Sequence, residues 1–133
     1  MAWVEIVTLL AVVQFMAFGF LVGAARMKHG VKAPATTGNE TFERYFRVQM
    51  NTLEQLVFLL PSMWIAALYF SPRLCAGLGV VYLLGRLLYL RGYVEDPKKR
   101  SAGFGLSFLP VAVLAVLALI GIVRALAHAA AGS

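Results

Sequence analysis

Two long, predominantly apolar runs without a charged residue, 6–25 and 104–123, limit most severely what this chain can fold into. Each is close to the ~20 residues an α-helix needs to cross a hydrocarbon core. A chain of 133 residues exposes much of its surface, so a water-soluble form would show large apolar patches to solvent. Composition agrees, with 61% hydrophobic and 14% charged residues, where soluble domains have roughly 45–50% and 25%. The apolar run near the beginning is expected to be a retained helix and not a signal peptide. Met1-Ala2-Trp3-Val4-Glu5 lacks the positively charged lead, and the run is long enough to span.

Between these spans lie two less regular segments. Residues 74–90 are apolar apart from Arg86, Tyr82 and Tyr89. Residues 42–70 read as one helix with a polar first half and an apolar second half. Its length of roughly 43 Å allows it to cross the core and project beyond it. Pro61 is expected to bend it, which a membrane bundle tolerates. Loop composition marks Pro34-Ala35-Thr36-Thr37-Gly38-Asn39 as a break, with Thr41 as the expected N-cap of the second helix. Ser71-Pro72 is a short connection that makes helices two and three antiparallel neighbours, and Glu95-Asp96-Pro97 closes the third helix. Gly77, Gly79 and Gly85 point to close helix packing. The expected fold is an all-α integral membrane protein: a four-transmembrane-helix bundle forming one domain over 1–133. Its helices are expected at about 3–26, 42–70, 73–94 and 103–127.

The net charge of +6 has a definite place. Arg26, Lys28, Lys32, Arg44 and Arg47 flank the first loop, and Arg91, Lys98, Lys99 and Arg100 the third. The second loop has only Arg73 and the tail only Arg124. Positive charge stays inside, so loops one and three are expected in the cytoplasm. These basic loops suit anionic lipid, and nothing supports nucleic-acid binding. Cys75 is the one cysteine, so no intrachain disulfide can form, and its apolar neighbours make it a small buried hydrophobe. His29 and His128 have no partners at metal-ligand spacing, so no metal is expected.

Two polar stripes remain, where polarity is expensive. Arg47, Asn51 and Glu54 share one face of helix two, while Gln49 and Gln55 lie on others. Tyr82, Arg86, Tyr89 and Tyr93 form a second stripe on helix three. The bland reading pairs them internally, with Glu54 neutralising Arg47 or Arg86 and the tyrosines lying at the interface. Cations outnumber carboxylates on this face, however, so an internal network would leave positive charge over. An anionic ligand that also carries an ammonium group would use the whole set, and glutathione is such a molecule.

The stretch Phe42-Glu43-Arg44-Tyr45-Phe46-Arg47-Val48-Gln49-Met50-Asn51-Thr52-Leu53-Glu54 also resembles the signature segment of the MAPEG family, membrane-associated proteins of eicosanoid and glutathione metabolism. Tyr82-Leu83-Leu84-Gly85-Arg86 and Tyr89-Leu90-Arg91-Gly92-Tyr93 resemble its third helix, Pro34 to Gly38 its first loop, and Lys98-Lys99-Arg100 its third. The likeness is nearest the branch of microsomal glutathione transferase 2 and leukotriene C4 synthase. It implies a homotrimer with glutathione bound between subunits as co-substrate. Arg47, Asn51, Glu54, Tyr89 and Tyr93 would hold it from one subunit, Arg26 and Gln49 would reach it from a neighbour, and Arg100 would sit at the thiol. Met27, Gln55 and Glu95 depart from the leukotriene synthase pattern, which uses arginine, tyrosine and arginine there. That weakens leukotriene synthesis more than glutathione use.

The expected function is therefore a membrane-bound glutathione transferase acting on lipophilic electrophiles, with lipid hydroperoxide reduction as a further activity. The acceptor is expected to approach through the bilayer beside helices one and four. The alternative is a non-catalytic lipid-binding protein of the lipoxygenase-activating type, and a third class is a small channel or transporter subunit. The membrane would be the inner membrane in a bacterium or the endoplasmic reticulum in a eukaryote.

Overall fold

A computed structural model describes residues 1–132 and contains four long α-helices: α1 (Ala2–His29), α2 (Glu40–Tyr69), α3 (Pro72–Glu95) and α4 (Ser101–Ala131). A short 3-10 helix, Pro97–Arg100, leads into α4. There is no strand among the described residues, and all four long helices are apolar enough to cross a membrane. The protein is a four-helix membrane bundle.

Each helix end has a local cause. Gly30 adopts a left-handed conformation (φ 67°) and closes α1, with its amide directed to the Arg26 carbonyl. The second helix begins earlier than expected. Asn39, not Thr41, is its N-cap, because Asn39 is extended and its side-chain oxygen accepts from the Phe42 amide at 3.0 Å. The α2–α3 connection is as short as expected. Phe70 ends one helix and Ser71 caps the next, with Pro72 in the first helical turn. Asp96 ends α3 and turns its side chain onto the Lys98 amide at 3.1 Å, which starts the 3-10 helix. Pro61 lies inside α2, which continues through it.

The helices form a bundle in which α2 and α3 pack together and α1 and α4 each pack on both of them. The main apolar core occupies the end of the bundle that holds the α2–α3 turn, with Val4, Val7, Leu59, Met63, Cys75, Tyr82 and Leu114 at its centre. Cys75 is buried there, as its neighbours imply. Outward-facing apolar residues are abundant, among them Phe20 (74% exposed) and Leu68 (70%). In water such a surface would aggregate, and in a bilayer it is the required outer coat. Towards loops one and three the interior turns polar, and the functional residues gather there.

Candidate functional site

Close approach of α3 and α4 builds one wall of the site. A Cβ at Gly85 would stand 2.5 Å from the Ser107 nitrogen, and one at Gly103 would overlap the Tyr89 backbone. Only glycine permits these backbones to touch. The contact sets Ser107 of α4 beside Arg86 of α3. The Arg86 Nε and Nη2 donate to Ser107 Oγ at 3.1 and 2.9 Å, and Nη1 donates to Thr52 Oγ1 of α2 at 3.3 Å. Its guanidinium carbon also lies 4.1 Å from the centre of the Tyr89 ring. Arg86 is wholly buried and links three helices through neutral groups.

The stripe on α2 meets this wall. Asn51 Nδ2 donates to the Tyr89 hydroxyl at 2.7 Å, and the Tyr89 and Tyr93 rings lie 5.5 Å apart. Asn51, Glu54, Gln55, Arg86, Tyr89, Arg100 and Phe104 together line a cavity of about 250 Å³. A second cavity of about 360 Å³ lies beneath loop one, with Arg47, Arg44, Tyr93, Thr36 and Pro97 on its walls. Arg47 and Tyr93 stand one helical turn from Asn51 and Tyr89 on their helices, so the two cavities follow the same pair of stripes.

The internal pairing of Glu54 with Arg47 or Arg86 does not occur. The described residues contain two salt bridges, Arg44–Glu40 and Lys99–Glu95, each at 2.7 Å on the loop side. Glu54 and Arg47 are exposed and carry no internal partner among the described residues. Arg100 is exposed as well, and its Nη1 donates to the Pro97 carbonyl at 2.8 Å within its own turn. Arg44 steadies that turn from α2, donating to the Val94 and Glu95 carbonyls at 3.0 and 3.2 Å.

Five of the expected residues thus lie along the two cavities of this chain, Arg100 joins them, and two residues do not. Gln49 points to α1, where a Cβ on Gly19 would come within 2.9 Å of its Nε2. Arg26 donates to the Ala35 carbonyl at 2.7 Å and stands over the Phe42 ring at 4.6 Å. Sequence reasoning passed over Thr52, Ser107 and Phe104, and set Gln55 on another face of the helix and read it as a departure, whereas it lines the cavity with Asn51 and Glu54. Gly103 four residues before Ser107 was the available sign, a small residue and a hydroxyl on one helix face. No group of His, Cys, Asp and Glu that could hold a metal occurs among the described residues.

Comparison with known proteins gives a consistent result. The MAPEG family pattern matches residues 4–120. An uncharacterized protein of Synechocystis sp. is 50% identical over 120 residues, covering 90% of this chain and 88% of that protein. Microsomal glutathione S-transferase 2 of Homo sapiens is 42% identical over 116 residues, covering 87% of this chain and 79% of its own length. Leukotriene C4 synthase of Cavia porcellus is 38% identical over 125 residues, covering 94% and 83%.

Proposed function

This chain belongs to the MAPEG family, and from that premise we propose that it is a membrane-bound glutathione transferase that conjugates glutathione to lipophilic electrophiles. The observation that carries the reading is the convergence of Asn51, Glu54, Tyr89 and Arg100 on one cavity. The names of its relatives, a glutathione S-transferase and a leukotriene C4 synthase, support the same substrate. Glu54, without an internal cation, pairs with the ligand ammonium, and Arg47 with a carboxylate. Asn51 and the two tyrosines hydrogen-bond the peptide groups. In a homotrimer, Arg26 and Gln49 reach the tripeptide of the neighbouring subunit. Their position outside both cavities of their own chain agrees with that arrangement.

Arg100 performs the activation. A free thiol titrates near ~8.5, so only a few per cent is thiolate at neutral pH, and the thiolate is the nucleophile. A guanidinium beside the sulfur favours the anion and does not lose its own proton. Lowering the thiol pKa by about two corresponds to ~2.7 kcal/mol. The thiol proton passes to solvent, the sulfur attacks the electrophilic carbon, a C–S bond forms and the leaving group departs with its electron pair. With a lipid hydroperoxide, sulfur attacks the peroxide oxygen, the lipid alcohol leaves, and a second glutathione forms the disulfide and releases water. Phe104, exposed beside Arg100 and stacked on Phe108 at 5.4 Å, gives the apolar acceptor a path from the bilayer.

The test is stopped-flow absorbance in the thiolate band, with turnover of an aryl halide, for the parent and Arg100→Ala across pH. The variant is expected to bind glutathione, to form little thiolate at neutral pH, and to recover turnover as pH rises. Unchanged thiolate and turnover in Arg100→Ala would remove the assignment. A parent that binds lipid but no glutathione would favour the non-catalytic lipid-binding alternative.

A further inference from the structure

A separate cavity of about 170 Å³ lies between the last turns of α1 and the first turns of α2, lined by Leu21, Ala24, Ala25, Lys28, His29, Thr41 and Tyr45. Leu21, Ala24, Ala25 and Lys28 recur at helical spacing and form a single stripe, as do Thr41 and Tyr45 on the facing helix. The two alanines leave the space. It is turned away from the residues of α2 that hold this chain's own glutathione: Tyr45 and Arg47 are two residues apart, hence about 200° around the helix.

The polar groups here are uncommitted. Among the described residues, the side chains of Lys28, His29, Thr41 and Tyr45 have no hydrogen bond or ion pair within the chain. Other cations nearby are occupied. Arg26 is held by the Val31 and Ala35 carbonyls and the Phe42 ring, and Arg44 by Glu40 and the end of α3. No carboxylate lines the cavity. It therefore presents one ammonium, one imidazole and two hydroxyls to a volume of roughly five or six water molecules. A tetrahedral oxyanion uses donors of these kinds. Below the polar groups, Leu21 also borders an apolar groove that runs along α1 past Ala17, Val13 and Leu10. A ligand with an anionic head and an apolar tail meets both halves of this surface.

We propose that this cleft binds the phosphate of an anionic membrane phospholipid, with Lys28 supplying charge and His29, Thr41 and Tyr45 donating hydrogen bonds. The acyl chains lie along the outer face of α1. The cavity size, the unpaired donors and the charge all favour the lipid over a second copy of this chain, which would bring its own basic loops against Lys28 and His29.

Native mass spectrometry of the full-length protein in detergent, titrated with phosphatidylglycerol and phosphatidylcholine of equal chain length, tests the proposal. The parent is expected to retain phosphatidylglycerol selectively. Lys28→Gln should weaken that retention about five- to tenfold, and Tyr45→Phe, which keeps the ring, a few-fold. Lys32→Gln removes the same charge outside the cavity and should change little. Equal losses in Lys28→Gln and Lys32→Gln would reduce the effect to diffuse surface attraction and overturn the site. Equal retention of both lipids would overturn it as well. Displacement of the lipid by millimolar inorganic phosphate would mark a soluble phosphate site and refute the lipid assignment. Circular dichroism of each variant separates lost binding from lost fold.

Discussion

Replacing Gly85 by alanine adds one methyl group where α3 meets α4, and the structure gives the size of the consequence. The new Cβ would lie 2.5 Å from the Ser107 nitrogen and 2.8 Å from the Leu106 carbonyl carbon. Both are backbone atoms, so no rotamer change relieves the clash. Restoring ordinary contact at ~3.5 Å requires the helices to part by about 1 Å. That movement takes the Arg86–Ser107 bonds from 2.9 and 3.1 Å to about 4 Å, beyond hydrogen-bonding range. Bonds to a charged group contribute about 1.5–3 kcal/mol, and overpacking costs about 1–3 kcal/mol. The two overlap, so a net loss of about 3 kcal/mol is expected, with reduced turnover because Tyr89 and Arg100 line the cavity beside the same joint. Gly77→Ala is the control, since its Cβ would meet nothing within 4 Å. It should be neutral, or stabilising by about 0.5–1 kcal/mol through helix propensity. Reversible unfolding of both variants in detergent micelles measures the difference. If Gly85→Ala and Gly77→Ala unfold alike, close backbone contact does not set the α3–α4 spacing.

Three other perturbations test different parts of the molecule. Glu54→Ala should weaken glutathione binding by roughly one to two orders of magnitude, measured calorimetrically, because a charge-assisted bond to the ammonium is lost. Binding as tight as that of the parent would return Glu54 to a packing role. Cysteines placed at Lys32 and Lys98 should be labelled only from the cytoplasmic side, and labelling from the opposite face alone would reverse the orientation. Arg44→Ala removes the donors to the Val94 and Glu95 carbonyls and should cost about 1–3 kcal/mol. Its melting temperature checks this, and an unchanged value would show that water replaces the guanidinium without loss.

Periodicity carried much of the architecture. Apolar runs of spanning length, broken by the loop at Pro34 to Asn39, the Ser71-Pro72 pair and Glu95-Asp96-Pro97, allow little besides four helices, and their order follows. The Asn39 cap was harder to see because Thr41 is also a good capping residue. The choice depends on which backbone is extended, a property of the loop and not of either residue alone. The α2 stripe was legible for a similar reason, since helical spacing alone puts Arg47, Asn51 and Glu54 on one face. What they face was not. Whether Glu54 pairs with Arg86 depends on the depth at which α3 and α4 cross, and that depth is fixed by Gly85 and Gly103. Thr52 and Ser107 matter only once that crossing exists, for they are the acceptors that free Arg86 from needing a carboxylate.

The tight connection at Phe70 and Ser71 also bears on how the protein enters its membrane. α2 and α3 are the least apolar of the four spans, and they carry Arg47, Glu54 and Arg86. Either one alone would present charge to lipid during insertion, at several kcal/mol for each centrally placed group. A turn this short leaves no slack for one helix to settle before the other. They are therefore expected to partition as a hairpin, with the Arg86–Thr52 and Asn51–Tyr89 bonds of the folded chain formed as the pair crosses. α1 precedes this event and α4 follows it, each apolar enough to insert unaided. Lengthening the α2–α3 turn with a flexible insert would uncouple the pair, and the loss would register in membrane integration before it registered in catalysis.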